Sequence, residues 1–170
     1  MGWFNWLLII LLTVGLLITW GALFGAPFLP TRAVWIDAAL KLAKVSKKDT
    51  VVDLGSGNGV VLRRALQRGA KRVIGYEVNP VLALYSRLRL LKYGKRAQIY
   101  NNNFLKMDLP TNTTVVYLFG VERIMRPTLD YLCHQKKRLP TKRLRVVCYG
   151  FELPDVKPIR KAQAMTLYYL

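Results

Sequence analysis

A β-branched run, Thr50-Val51-Val52-Asp53-Leu54, gives way to Gly55-Ser56-Gly57-Asn58-Gly59, and residues 60–68 then continue with helical spacing. This pattern reads as a buried strand, a tight loop and a helix, and it restricts the fold more than any other part of the chain. Glycine at every second position lets the backbone turn sharply and approach a ligand with no Cβ in the way. The loop N–H groups and the positive end of the following helix then point at that ligand.

The spacing separates this loop from its relatives. A dinucleotide fingerprint needs G-x-G-x-x-G, and a P-loop needs G-x-x-x-x-G-K-[ST]. The chain has D-x-G-x-G-x-G with no lysine in P-loop position. In this it resembles motif I of the class I S-adenosylmethionine-dependent methyltransferases, and the resemblance implies that Asp53, Gly55, Ser56, Gly57, Asn58 and Gly59 form the cofactor loop. A glycine-rich turn in another α/β protein is the alternative. Against it stands Glu77, which ends a second strand, Arg72-Val73-Ile74-Gly75-Tyr76-Glu77. An acid at that strand tip, about 20 residues beyond the loop, can accept both ribose hydroxyls.

The first charged side chain is Arg32. Before it, the run from Trp3 to Phe28 is almost wholly apolar, long enough at 1.5 Å per residue to match a bilayer core of about 30 Å. Trp3, Trp6 and Trp20 lie near its ends, as aromatic belts do. A cleaved signal peptide would need a basic n-region, which is missing, and a buried core helix would rarely be so uniformly apolar. Residues 5–24 are therefore expected to span a membrane. All 27 Lys/Arg and all 9 Asp/Glu fall after residue 31, so residues 32–170 carry the whole formal charge of +18. Arg32, Lys41, Lys44, Lys47 and Lys48 follow the span closely. By the positive-inside rule the domain stays on the cytoplasmic side, with the N-terminus outside. Cys133 and Cys148 make no disulfide framework and suit a reducing compartment.

Pro27-Phe28-Leu29-Pro30 reads as a stiff elbow, so residues 1–31 are anchor and elbow and 32–170 one domain. Beyond it, strands alternate with helices from 50 to 150, which implies a parallel, doubly wound, Rossmann-like sheet. Asn79-Pro80 opens the helix after Glu77, with Val81, Leu82, Leu84, Tyr85, Leu88 and Leu91 as its expected apolar face. Strands follow at 97–100, 114–120 and 143–151, with a helix at 122–139. Only 19 residues remain after Phe151, and Pro154 and Pro158 make the first of them poor strand formers. Six strands in order 3-2-1-4-5-7 are expected, the last antiparallel at an exposed edge. That edge would leave the crevice open toward the elbow, an arrangement suited to a membrane-protein substrate. Ligands in such sheets bind beyond the carboxyl ends of the strands, where the 55–59 loop, Glu77, Asn103 and Gly120 all fall.

With these residues assembled, the chain resembles a narrower family. These are small, membrane-anchored protein-lysine methyltransferases whose mitochondrial members modify the ADP/ATP carrier and the ATP synthase c-subunit, together with their prokaryotic homologues. The likeness rests on Pro27-Phe28-Leu29-Pro30, the 52–59 motif, Gly75-Tyr76-Glu77-Val78-Asn79-Pro80, Leu84-Tyr85-Ser86-Arg87 and Val115-Val116-Tyr117-Leu118-Phe119-Gly120-Val121. It implies methyl transfer from S-adenosylmethionine to a lysine, with a membrane protein as substrate. Three positions depart from the family pattern: Asn58 and Val60, because Asn58-Gly59-Val60 replaces Asp-Gly-Arg, and Asn103, which stands where an acid often meets the adenine amino group. An amide can still hydrogen-bond there.

A lysine amine must lose a proton before it attacks. The candidates around it are Asn79, Tyr85 and Glu122, and each has a plain structural alternative as helix cap, core residue or first-turn charge. Asn103 can equally be a turn residue, and His134 a surface or packing residue. No metal-ligand spacing occurs. The basic stretches Lys136-Lys137-Arg138 and Lys142-Arg143-Arg145 keep an RNA methyltransferase open, and a bilayer keeps a lipid-headgroup methyltransferase open. A tethered module that binds nucleotide or a partner without catalysis is a third alternative. Strand four ends Leu118-Phe119-Gly120-Val121, without the Asn-Pro-Pro-Tyr seen in enzymes that methylate amide or base nitrogens.

Overall fold

The computed structural model describes residues 2–24 and 33–170, so the expected elbow at Pro27-Phe28-Leu29-Pro30 lies outside the described residues. Helix α1 runs Trp3–Phe24, 22 residues without a charge. Its described side chains are exposed, among them Trp3 and Leu12. Side chains 14 and 16–24 lie outside the description, and among the described residues no helix is long and apolar enough to cross a membrane.

The domain opens with α2 (Ala33–Leu42), which buries Ile36, Ala39, Leu40 and Leu42. Then follow β1 (Thr50–Leu54), α3 (Val60–Gln67), β2 (Arg72–Glu77), α4 (Pro80–Leu90) and β3 (Ala97–Asn101). A 3-10 turn, Leu91–Arg96, joins α4 to β3. The second half is β4 (Val115–Phe119), α5 (Glu122–Arg138), β5 (Arg145–Tyr149), β6 (Arg160–Ala162) and β7 (Met165–Tyr169). The sheet order is β3-β2-β1-β4-β5-β7-β6. The first five strands are mutually parallel and β7 runs antiparallel to both neighbours.

Side chains alternate across a strand, and the sheet is buried on both faces. Val51, Val73, Val115 and Val147 face a core closed by α2 and α3. Val52, Ile74, Val116, Val146 and Cys148 face a second core closed by Met125, Leu129 and Leu132 of α5. The near-continuous apolar runs in the sequence have this two-sided burial as their cause.

Among the described residues the sheet has seven strands, correcting the expected six. The extra strand, β6, lies outside β7, so β7 is internal and the outer edge belongs to three residues, Arg160, Lys161 and Ala162. Two cations in three residues show no alternation, and edge strands are often short and cationic for solubility. Gln163 turns the hairpin at φ +56°. With β6 in place no strand is missing at that edge, so the expected opening of the crevice, and the substrate preference drawn from it, are lost.

A second correction concerns α4. Its buried residues are Ala83, Ser86 and Leu90. The large apolar side chains expected to face the core point outward instead: Leu84 is 55% exposed, Tyr85 50% and Leu88 63%. Small residues on the inner face let α4 lie close against the loop that precedes α3. A Cβ built on Gly59 would stand 2.2 Å from Ser86 Oγ.

Candidate active site

The site is built where β1, β2 and β4 end. Gly55 adopts φ +101° and Gly59 φ +73°, conformations that side chains rarely take. Gly55 has open space where a Cβ would stand, so its backbone is bare to a ligand. The loop is tied down from β2: the Gly55 and Ser56 N–H groups both donate to Tyr76 O, at 3.0 and 2.9 Å. Gly59 N–H donates to Ser56 O at 2.8 Å, which closes the turn into α3. Asn58 Oδ1 accepts from Val60 N–H at 3.2 Å. Gly59, the N-cap of α3, has no side chain to satisfy the free N–H groups of the first turn.

Glu77 is the hub. Gly57 N–H donates to Oε2 at 2.7 Å and Asn79 N–H donates to Oε1 at 2.8 Å, so one buried carboxylate joins the loops after β1 and β2. A carboxylate has about four lone-pair sites, so Glu77 keeps acceptor capacity beyond its backbone partners for a ribose hydroxyl. Burial pushes the Glu77 carboxyl up, and the hydrogen bonds from Asn79, Gly57 and Val78 only partly offset it. Asp53, one residue before the end of β1 and 2% exposed, is pushed well above the usual range, by burial first and by Glu77 second. Two buried acids with raised pKa values make this crevice costly for negative charge, and a cationic ligand offsets that cost.

Of the residues singled out in the sequence, Asp53, Gly55, Ser56, Gly57, Asn58, Gly59, Glu77 and Asn79 come together here. Asn79 is 1% exposed, and its Oδ1 caps α4, accepting from Val81 N–H at 2.9 Å and Leu82 N–H at 3.1 Å. Asn103 lies beyond β3 and caps a short 3-10 turn through Leu105 N–H at 3.0 Å. Tyr85 sits on the outer face of α4, where its hydroxyl accepts from Arg89 Nη2 at 3.0 Å. Glu122 opens α5 and lines a groove with Met125, Arg126 and residues 151–154, at the carboxyl ends of β4 and β5. Among the described residues no group of His, Cys, Asp and Glu could hold a metal ion.

Asn101 was not singled out. Its Nδ2 donates to Glu77 O at 2.8 Å and Val78 O at 3.1 Å, fixing the turn that carries the hub. The signal was present: Asn101 ends β3 and pairs in register with Glu77.

A doubly wound sheet with an antiparallel β7, a glycine loop after β1 and an acid ending β2 is the class I methyltransferase architecture. A model of the ANTKMT methyltransferase domain matches residues 53–160, and the chain belongs to that family. A protein-lysine N-methyltransferase of Saccharolobus islandicus (strain REY15A) is 31% identical over 138 residues, 78% of this chain and 81% of that protein. A lysine N-methyltransferase of Xenopus laevis, named for the ATP synthase c-subunit, is 32% identical over 137 residues, 78% of this chain. The match spans 56% of the Xenopus protein's length. Among solved structures, an RNA methyltransferase from Salinibacter ruber in complex with S-adenosyl-L-homocysteine superposes with TM-score 0.73 at 27% identity. That match covers 83% of this chain and 92% of the other. The domain is thus that of an S-adenosylmethionine-dependent methyltransferase. Its residues fit the cofactor: bare backbone at Gly55, spare acceptor capacity on Glu77, and a crevice that disfavours anions and so suits a sulfonium cation.

Proposed function

We propose that the chain is a protein-lysine N-methyltransferase acting on a membrane protein, with α1 as its anchor. The observation that carries the lysine acceptor is the match, across more than three quarters of the chain, to two proteins named as lysine methyltransferases. The anchor rests on 22 uncharged residues, about 33 Å of helix. The positive-inside rule then assigns the basic domain to the cytoplasmic side, or the matrix side in a mitochondrion.

The cofactor supplies a methyl group already activated by its positive sulfur, so the protein's task is positioning. Glu77 would hold the ribose, and residues 55–59 the amino-acid end. Asn79 spends its side-chain oxygen on α4 and acts by fixing that turn. The acceptor lysine must be neutral, which at pH 7 costs about 4–5 kcal/mol from a free pKa near 10.4. Glu122, exposed at the mouth of the groove, would draw the lysine ammonium in. Met125 and Phe151 offer an apolar wall beside which the ammonium is disfavoured, so that its proton would pass to solvent water at the open mouth of the groove. The neutral amine, held in line between Glu122 and this wall, would present its lone pair to that methyl group.

The basic last turn of α5, Lys136, Lys137 and Arg138, and the Salinibacter RNA enzyme favour nucleic acid as the second reading. One experiment separates the two. Full-length protein is incubated with membrane fractions and methyl-labelled cofactor, and the product is digested with protease, nuclease or lipase. Label that follows protease and yields methyllysine on hydrolysis supports the proposal, whereas nuclease- or lipase-sensitive label overturns it. Release of the full-length protein by alkaline carbonate without detergent would overturn the anchor.

A further inference from the structure

Helix α4 carries its large apolar side chains on the side away from the core. At 100° per residue, Val81, Leu84, Tyr85 and Leu88 fall within an arc of about 100°, opposite the buried Ala83, Ser86 and Leu90. Leu91 continues the stripe into the following turn, where it is 74% exposed. The same helical angles place Arg87 on one flank of the stripe and Arg89 on the other. Arg89 stacks over the Tyr85 ring at 4.9 Å. Among the described residues neither arginine is paired with a carboxylate. Between Glu77 and Asp108 the sequence has no acid at all, while Lys92, Lys95 and Arg96 follow directly.

A contiguous exposed apolar patch of this kind marks an interaction site. We infer that this face of α4 lies on an anionic lipid surface, with the leucines in the acyl boundary and the flanking cations among the headgroups. An outward apolar stripe edged by cations, without one acid, is the composition of an interfacial helix. Each nearby cation adds attraction to anionic lipid. Against a protein partner stand Lys92 and Lys95 just beyond the stripe, because lysine, unlike arginine, is depleted at protein interfaces. A second copy fits less well again: α4 packed on α4 sets Arg87 and Arg89 against their equivalents on a chain that carries +18. The contact is distinct from α1. Since α4 begins at the crevice, it would hold the active site at headgroup level.

The test uses the full chain in vesicles of phosphatidylcholine with about 30% phosphatidylglycerol. The background is Cys133→Ser, with the buried Cys148 left in place. A polarity-sensitive fluorophore is attached through Leu84→Cys or Leu88→Cys in turn, and through Lys137→Cys on α5 as a control. The expected result is blue-shifted emission, quenched by lipid-borne doxyl groups and shielded from iodide, at 84 and 88 but not at 137. Adding Arg87→Glu and Arg89→Glu should reduce the shielded fraction on the order of tenfold. Three outcomes would overturn the inference. The probes at 84 and 88 stay open to iodide on anionic vesicles; or they are shielded only together with cross-links between copies; or they are shielded only when a helical membrane protein is co-reconstituted. Carbonate extraction of the same vesicles reports on α1 separately, so loss of the α4 contact and loss of the anchor give different results.

Discussion

At the scale of single residues, Glu77 has the most to lose. Its carboxylate accepts Gly57 and Asn79 N–H groups, and charge-assisted bonds of this kind contribute about 1.5–3 kcal/mol each. Glu77→Ala would remove both these ties between the loops and the proposed ribose acceptor, and should weaken S-adenosylmethionine binding by at least about tenfold in calorimetric titration. Unchanged affinity would show that Glu77 does not hold the cofactor. Asp53 makes the opposite kind of contribution. Its pKa is raised in the fold by burial, then by Glu77, so the fold favours its protonated form. The stability that proton confers is complete below the unfolded value near 3.8 and is lost as pH rises through the raised value. Asp53→Asn should accordingly raise the melting temperature at pH 7–8 and leave it unchanged near pH 4. A gain independent of pH would point to packing instead. Gly59 is constrained from both sides, by φ +73° and by Ser86 Oγ at 2.2 Å from a built Cβ. Gly59→Ala should cost about 3 kcal/mol in denaturant unfolding, and Ser86→Ala should recover only part of it, because Ser86 Cβ would still stand 3.1 Å away.

At the scale of elements, the end of the sheet away from the crevice is held by Asp49. Its carboxylate accepts from Ser46 N–H at 2.7 Å and Thr114 Oγ1 at 2.8 Å, and it pairs with Arg145, so β1, β4 and β5 meet on one acid. Burial alone would raise its pKa, but the bonds from Thr114, Arg145 and Ser46 outweigh burial and leave it lowered. That contribution is present above pH 3.8 and is lost as pH falls through the lowered value. Asp49→Asn should cost about 3 kcal/mol at pH 7 and flatten the acid limb of the stability curve. Elements differ in how far their residues announced them. The strand–loop–helix at 50–68 was legible because glycine spacing and β-branched runs have few other readings. The orientation of α4 was not, because large apolar residues normally face inward and the need for a small residue, Ser86, against Gly59 appears only once the helices meet. Strand β6 was illegible for another reason: it is held by pairing to β7, not by its own composition. The cap formed by Asn79 was open in the sequence as one of two roles, and geometry supplies the capping bonds.

At the scale of the whole molecule, the two cores differ in what closes them, and the second holds Cys148 on β5, fully buried. Burial, with Glu152 behind it, pushes this thiol up to about 12. Cys133 on α5 is exposed. The two exposed ion pairs near the last strands, Arg126 with Asp155 and Lys161 with Glu152, add little to stability, about 0–1 kcal/mol each. Cohesion of the molecule there depends on the core that encloses Cys148. The chain consequently carries its own unfolding clock. A maleimide should modify one sulfur at once and the second only as fast as the sheet opens, at a rate that stops rising with reagent concentration when opening is limiting. Mass spectrometry of aliquots would read that rate directly, with no foreign reporter group, and two sulfurs modified together would mean that β5 breathes without global unfolding.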